Sequence, residues 1–419
     1  MPKAELNRRK FLKRGLHLGT GFFIASQFFA ESAEAKPIFK FPPKIIFLGD
    51  SITMAGGYIN IFEFYIRLRY PNWQGEVLNM GLSSETASGL SEPAHPFPRP
   101  YIHNRLRNVL RITKPDLVFV CYGMNCGIYH PFAKERFDAY KAGMLGLINQ
   151  VEATGAKLVL CTPPPFAHQG SPKTILDANE DYSYAKPFEA YDQVLKGYGT
   201  WLQSQFKGVY PVVDLHAALS PYKDLCYGKD IIHPNEYGHF IMAHAILNEL
   251  QINKVKKVKI KAKEARKSGR ENIDFDFAQI SPQLIFERPV EALQAEVADL
   301  NAVELKLKGI KFKEVYELDL APDVKIRNTG KAWRKGVSLA TELANLQTPT
   351  AQSISQLWKA IENKRAEYDR ALLNEIGHGR PGVESVPFAE ALEVKKNFDE
   401  QMKRLSLSNS INAVVERIS

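Results

Sequence analysis

Several things are scarce in this chain. Four cysteines in 419 residues allow at most two disulfides, and no spacing among cysteines and histidines suggests a metal site. Beyond residue 35 no apolar run is long enough to cross a membrane. Even Leu16–Ala30, about 15 residues, falls short of the ~20 that a spanning helix needs. There is no internal repeat and no low-complexity segment, which excludes solenoid and linker-like architectures. No stripe of stacking aromatics accompanies the basic residues, so the net charge of +9 does not by itself point to nucleic acid.

What is present is apolar material for a large core and more than one domain, at 45% hydrophobic residues. Residues 1–35 stand apart. Asn7-Arg8-Arg9-Lys10-Phe11-Leu12-Lys13 looks like a twin-arginine export signal, with Asn7 where Ser or Thr is commoner. Leu16–Ala30 and then Ala33-Glu34-Ala35, a small-x-small cleavage site, complete it. The expectation is a periplasmic or secreted protein, with an uncleaved anchor as the alternative. Export permits disulfides. Cys121 and Cys161 lie in strand-like runs and read as buried thiols, whereas Cys126 and Cys226 lie in loops and form a candidate bridge.

The charge is uneven. Residues 1–35 contribute +3 and Lys254–Arg270 contributes +8, which leaves the remainder slightly acidic. Within the basic cluster Val258, Ile260 and Ala262 alternate with lysines, and Ile273-Asp274-Phe275-Asp276-Phe277 alternates likewise beyond Ser268-Gly269. That pattern predicts a hairpin pairing Lys with Asp across its strands. A patch for an anionic polymer is the other reading.

From Lys44 strand and helix patterns alternate. Strands are expected at 44–48, 76–79, 116–122, 157–162 and 210–215, and helices at about 58–70, 102–113, 133–153, 187–206 and 237–250. Such alternation means a parallel sheet covered on both faces. Long loops follow strands two and four, and loops at one sheet edge usually form the binding surface. Residues 251–419 change character: further alternating runs, at 303–307 and 315–320, precede helices at about 353–376 and 388–406. No catalytic constellation is visible there. The expected domains are therefore 1–35, 36–250 and 251–419.

Strand one ends at Gly49-Asp50-Ser51, where Ser51 stands at the carboxyl edge of the sheet and at a helix start. Strand two ends at Asn79-Met80-Gly81, strand three at Tyr122-Gly123-Met124-Asn125, and Asp230-Ile231-Ile232-His233 precedes the last helix. Serine needs a base to take its proton, and histidine does so near neutral pH. The imidazole needs a carboxylate to fix its tautomer, which Asp230, three residues upstream, can fold back to supply. A tetrahedral intermediate needs donors, for which the Ser51 and Gly81 N–H groups and the Asn125 amide are candidates. Asp50 reads as structural support for the turn.

These four blocks, Gly49-Asp50-Ser51, Asn79-x-Gly81-x-Ser83-x-Glu85-Thr86, Gly123-x-Asn125 and Asp230-x-x-His233-Pro234, resemble the SGNH (GDSL-like) hydrolases over residues 44–250. The resemblance implies a three-layer α/β/α sandwich around a five-stranded parallel sheet. It implies Ser51 as nucleophile, His233 as base, Asp230 as third member, and Ser51, Gly81 and Asn125 as oxyanion hole. One departure is Cys126, where many relatives carry Asp. Asn79 and Glu85 read as holding the loop of the second block in shape, and candidate substrate contacts are Glu85, His95, Arg99, Tyr129 and His130. His239 reads as structural, and Asp214/His216 as a pair that mimics the site. The expected protein is a serine ester hydrolase without metal or cofactor, with a small-molecule or polysaccharide ester as substrate and no nucleic-acid partner. An O-acetylated carbohydrate suits its polar loops. A lysophospholipase or thioesterase, or a non-catalytic carbohydrate-binding protein on a hydrolase fold, are the alternatives.

Overall fold

The computed structural model describes residues 44–70, 73–168, 181–252, 256–276, 291–300, 303–321, 324–338, 349–404 and 410–418. The expected export signal, part of the loop after strand four, and Phe277 lie outside the described residues.

Five strands, β1 (Lys44–Gly49), β2 (Glu76–Asn79), β3 (Leu117–Cys121), β4 (Lys157–Cys161) and β5 (Val212–Val213), form one sheet in the order β2-β1-β3-β4-β5. All pair in parallel. The central strands are apolar on both faces because helices cover both. In one layer α1 (Gly57–Arg69) meets α5 (Glu236–Glu249), where Tyr58 stacks on His239. In the other, α3 (Lys134–Glu152) meets α4 (Tyr191–Phe206), with Tyr140 stacked on Tyr198 at 4.4 Å. The shorter α2 (Leu106–Thr113) follows β2. Phe47, sandwiched between Phe119 (4.2 Å, stacked) and Phe62 (5.4 Å, edge-on), centres the core. Truncating it to Ala would cost ~3–5 kcal/mol. The register aligns Gly49 with Cys121, Cys121 with Cys161 and Cys161 with Val213, so the strands finish along one edge. β5 is shorter than expected. Pro211 has no N–H to give to a ladder, and Asp214 already caps the next helix by accepting from Ala217 N.

The expected hairpin does not form. β6 (Lys256–Lys261) pairs in parallel with β8 (Val303–Lys308), and β7 (Arg270–Asp276) pairs with β12 (Ser410–Ile418). Between β6 and β7 the chain makes the helix Lys263–Ser268 instead of a tight turn. With β9 (Val315–Ala321), β10 (Val324–Thr329) and β11 (Val337–Ser338), these strands build a four-stranded sheet, β10-β9-β12-β7, and a three-stranded one, β11-β8-β6. They share a core of Ile260, Leu305, Leu307, Tyr316, Leu318, Trp333 and Val415. Helices α6 (Pro349–Lys364), α7 (Arg370–Ile376) and α8 (Phe388–Arg404) then return to the first sheet, and a π-helical turn, Arg365–Asp369, separates α6 from α7.

The four cysteines are free and buried, which removes the Cys126–Cys226 bridge. The Cys126 sulfur instead accepts from Ala87 N at 3.3 Å.

Candidate active site

The edge where the strands finish gathers the residues that the sequence singles out. Beyond β1, Asp50 caps the short helix Ser51–Ala55, its Oδ1 accepting from Ile52 N at 3.0 Å. Ser51 is therefore the first residue of that helix, where a backbone N–H has no intrahelical acceptor. None is found for it among the described residues. Gly49 has to be glycine, since a Cβ there would meet Thr53 Oγ1 at 2.0 Å.

Past β2 the chain keeps bonding to its neighbour, Met80 N to Phe47 O (2.8 Å) and Leu82 N to Gly49 O (2.9 Å). This lays Gly81 against the serine's helix, so closely that a Cβ on Gly81 would stand 2.5 Å from Met54 N. Asn79 clamps the two: its Nδ2 donates to Thr53 O (2.7 Å) and its Oδ1 accepts from Gly81 N (2.9 Å). The Gly81 N–H, expected as a free donor, is thus already engaged.

Past β3, Asn125 presents its amide with a defined orientation. Tyr129 OH donates to Asn125 Oδ1 (2.9 Å) and Asn125 Nδ2 donates to Glu85 O (3.2 Å), which leaves one amide hydrogen unused. The geometry offers two uncommitted donors, Ser51 N–H and Asn125 Nδ2, rather than three.

Before α5, the Asp230–Asn235 segment is held twice. Asn235 Oδ1 caps the helix through Tyr237 N and Gly238 N, and Asp230 Oδ1 accepts from Ile232 N and His233 N, both at 2.9 Å. Asp230 Oδ2 then lies 2.8 Å from His233 Nδ1, and His233 Nε2 lies 2.8 Å from Ser51 Oγ. With the Nδ1 proton given to the carboxylate, Nε2 is left to accept from the hydroxyl. Partial burial would raise the Asp230 carboxyl, but the His233 and Ile232 N–H groups and the imidazole outweigh it and hold the group below its ordinary value. Asp50, by contrast, is buried and raised to about 6, chiefly by desolvation.

A hydroxyl hydrogen-bonded to an imidazole that is itself oriented by a carboxylate, beside two free donors, is a set of parts for acyl transfer. Residues 47–241 match the GDSL-like Lipase/Acylhydrolase family. These residues are similar to that family's domain, and the protein is a carboxylic ester hydrolase. The chain is 25% identical over 233 residues to an acetylxylan esterase of Geobacillus stearothermophilus, covering 49% of this chain and 93% of that protein. A solved structure of the acetylxylan esterase from the same organism aligns over 50% of this chain and 94% of that one, at 22% identity and TM-score 0.38. A gut microbial diltiazem-metabolizing enzyme shares the fold more broadly, over 92% of this chain and 100% of that one, at 19% identity and TM-score 0.60.

Around this acylhydrolase centre the five expected substrate contacts divide. Glu85 is fully buried and accepts from Arg105 Nε (2.7 Å), Arg105 Nη2 (2.6 Å) and Tyr122 OH (2.6 Å). Its role is to hold the loop after β2, not to meet a ligand. Arg99 is buried in a two-pronged pair with Glu92 (2.5 and 2.6 Å). Tyr129 is buried too and acts on Asn125. His95 and His130 remain partly exposed. His95 is tied to Phe97 O (2.5 Å) and packs against Phe97 and Tyr184. His130 lies edge-on to Tyr182. His239 is structural as expected, buried on Tyr58 and lowered to about 4 by desolvation and then by His233. The Asn79 clamp was legible as a loop-holding residue, but its grip on the serine's helix was not.

Proposed function

We propose that the acylhydrolase domain is an exported serine esterase that removes acetyl groups from O-acetylated carbohydrate. The observation that carries the mechanism is the continuous hydrogen-bonded chain from Ser51 Oγ through His233 to Asp230. Ser51 Oγ attacks the ester carbonyl while His233 Nε2 takes its proton, and Asp230 stabilises the imidazolium. The carbonyl oxygen becomes an oxyanion against Ser51 N–H and Asn125 Nδ2, with the Gly81 N–H joining only as a shared, three-centre donor. Collapse expels the sugar alkoxide, which takes the proton from His233 and leaves acetyl-Ser51. Water, deprotonated by the same imidazole, then releases acetate. The identity to an acetylxylan esterase supports acetylated carbohydrate as substrate, and the Arg8-Arg9 segment supports export.

The test is acetate release from acetylated xylo-oligosaccharides together with p-nitrophenyl esters of increasing chain length. Activity on the glycans and preference for the two-carbon ester are expected. Preference for eight or more carbons, with no release from glycans, would overturn the substrate reading, and undiminished activity in Ser51→Ala would overturn the mechanism.

A further inference from the structure

β2 is an edge strand, paired only with β1, so its outer backbone groups need partners from elsewhere. The last residue of α6 and the π-helical turn that follows it supply them with side chains. Lys364 Nζ (2.5 Å) and Arg365 Nη1 (3.1 Å) donate to Val77 O, and Asp369 Oδ2 accepts from Asn79 N at 2.9 Å. The Val77 carbonyl and Asn79 N–H lie on the same side of the strand and are the pair that a sixth strand would take.

The supports are themselves fixed. Arg365 grips Asp369 (2.5 Å), Glu63 (2.6 Å) and Asn60 (3.0 Å), and Glu63 also holds Arg67 (2.8 Å). Glu63, Arg67, Lys364, Arg365 and Asp369 are all buried, so no bulk water is available to replace a lost partner. Helical π turns of this kind recur at functional sites.

The residue that Asp369 holds is the clamp of the site, for Asn79 binds both Gly81 N and the carbonyls of the serine's helix. We propose that Asp369 is a positioning residue for acyl transfer. By fixing the Asn79 backbone, it sets where the Ser51 helix start and Gly81 stand around the oxyanion. The inference rests on the serine-esterase reading above. It makes the turn at 365–369 a working part of the hydrolase and not only an attachment.

The test compares Asp369→Ala, Asp369→Asn and Asp369→Glu in the full chain. Measured are kcat and KM on p-nitrophenyl acetate, the number of reactive serines titrated by an organophosphate, the rate of that titration, and Tm. Loss of a hydrogen bond to a charged acceptor predicts that Asp369→Ala lowers kcat per titrated serine about tenfold with KM within about twofold, and slows phosphorylation by a similar factor. Asp369→Asn keeps an acceptor for Asn79 N–H, so kcat recovers to within about threefold even though the charge facing Arg365 is lost and Tm falls. Asp369→Glu keeps the charge but displaces the carboxylate, so its kcat falls while its Tm stays nearer the parent's; it carries the test if Asp369→Ala does not fold. Unchanged kcat per titrated serine in Asp369→Ala, or in Asp369→Glu where Ala does not fold, would overturn the proposal. Activity retained by Ser51→Ala would instead overturn the esterase reading beneath it.

Discussion

Among the described residues two histidine–carboxylate pairs have a serine hydroxyl beside the imidazole, and they differ in what remains free. At the strand edge, His233 Nε2 faces Ser51 Oγ at 2.8 Å, and the His233 and Asp230 side chains are 41% and 57% exposed. In the other, His216 Nε2 meets Asp192 Oδ1 at 3.1 Å and Nδ1 lies 3.3 Å from Ser220 Oγ. There Ser220 Oγ donates to the His216 carbonyl (2.6 Å) and Ser220 N–H bonds to the same oxygen. Asp192 also accepts from Lys223 (2.5 Å) and Phe166 N (2.8 Å). The second arrangement is a closed structural knot, with its acid neutralised and its hydroxyl spent. The first keeps an accessible hydroxyl and a free N–H on the same serine. Availability, more than the presence of three residue types, separates them. The sequence paired His216 with Asp214, but Asp214 serves Ala217 N, Thr162 and Gln203, and the partner is Asp192.

The contrast can be broken most sharply at the serines. Ser51→Ala should cut p-nitrophenyl acetate turnover at least about 10³-fold, while Ser220→Ala stays within about twofold of the parent. At the acids, Asp230→Asn should lose ~10²–10⁴ in kcat by spoiling the imidazole tautomer. Asp192→Asn should instead leave kcat near the parent and lower stability by ~1–3 kcal/mol in denaturant titrations, because Lys223 loses its partner. Equal kinetic losses at both acids would erase the distinction. At the donors, Asn125→Ala should cost ~2.7–4 kcal/mol of transition-state stabilisation, read from kcat at unchanged KM. Tyr129→Phe frees the amide without removing it and should cost only a few-fold.

The last effect touches stability and not turnover. Asp50 is raised to about 6 in the folded chain, so between about pH 4 and 6 the folded state holds a proton that the unfolded state has released, and stability falls as pH rises through that window. Asp50→Asn removes the cost and can still cap the helix. Its advantage in unfolding free energy should be absent near pH 4 and reach about 2–3 kcal/mol above pH 6. An advantage that grows instead toward acid would contradict the assignment.

Much of the first sheet was legible because buried parallel strands are short apolar runs and their covering helices show a 3.6-residue period. Ser51, Asn125, Asp230 and His233 were legible for a related reason: each leaves a strand or enters a helix at the same edge. Arg99 and Tyr129 were misread because polar side chains in a loop look exposed in a sequence, whereas here each is buried with a charged or polar partner. The Lys256–Lys261 strand was found but mispaired, since alternation reports which faces a strand presents and says nothing of its neighbour.

The sequence alone carried most of the local structure of the first sheet: where β1 to β4 and their covering helices run, and which residues stand where those strands stop. Those are properties of a few consecutive residues and of burial period. The choice of partners was settled in three dimensions. It placed β12 between β7 and β9, closed β2 with the side chains of the turn at 365–369, and gave the Gly81 N–H to Asn79. It also gave His216 to Asp192 rather than to Asp214. A hydrogen-bond donor binds whichever acceptor packing brings near it, whether two residues away, as Asn79 is from Gly81, or 290 away, as Asp369 is from Asn79.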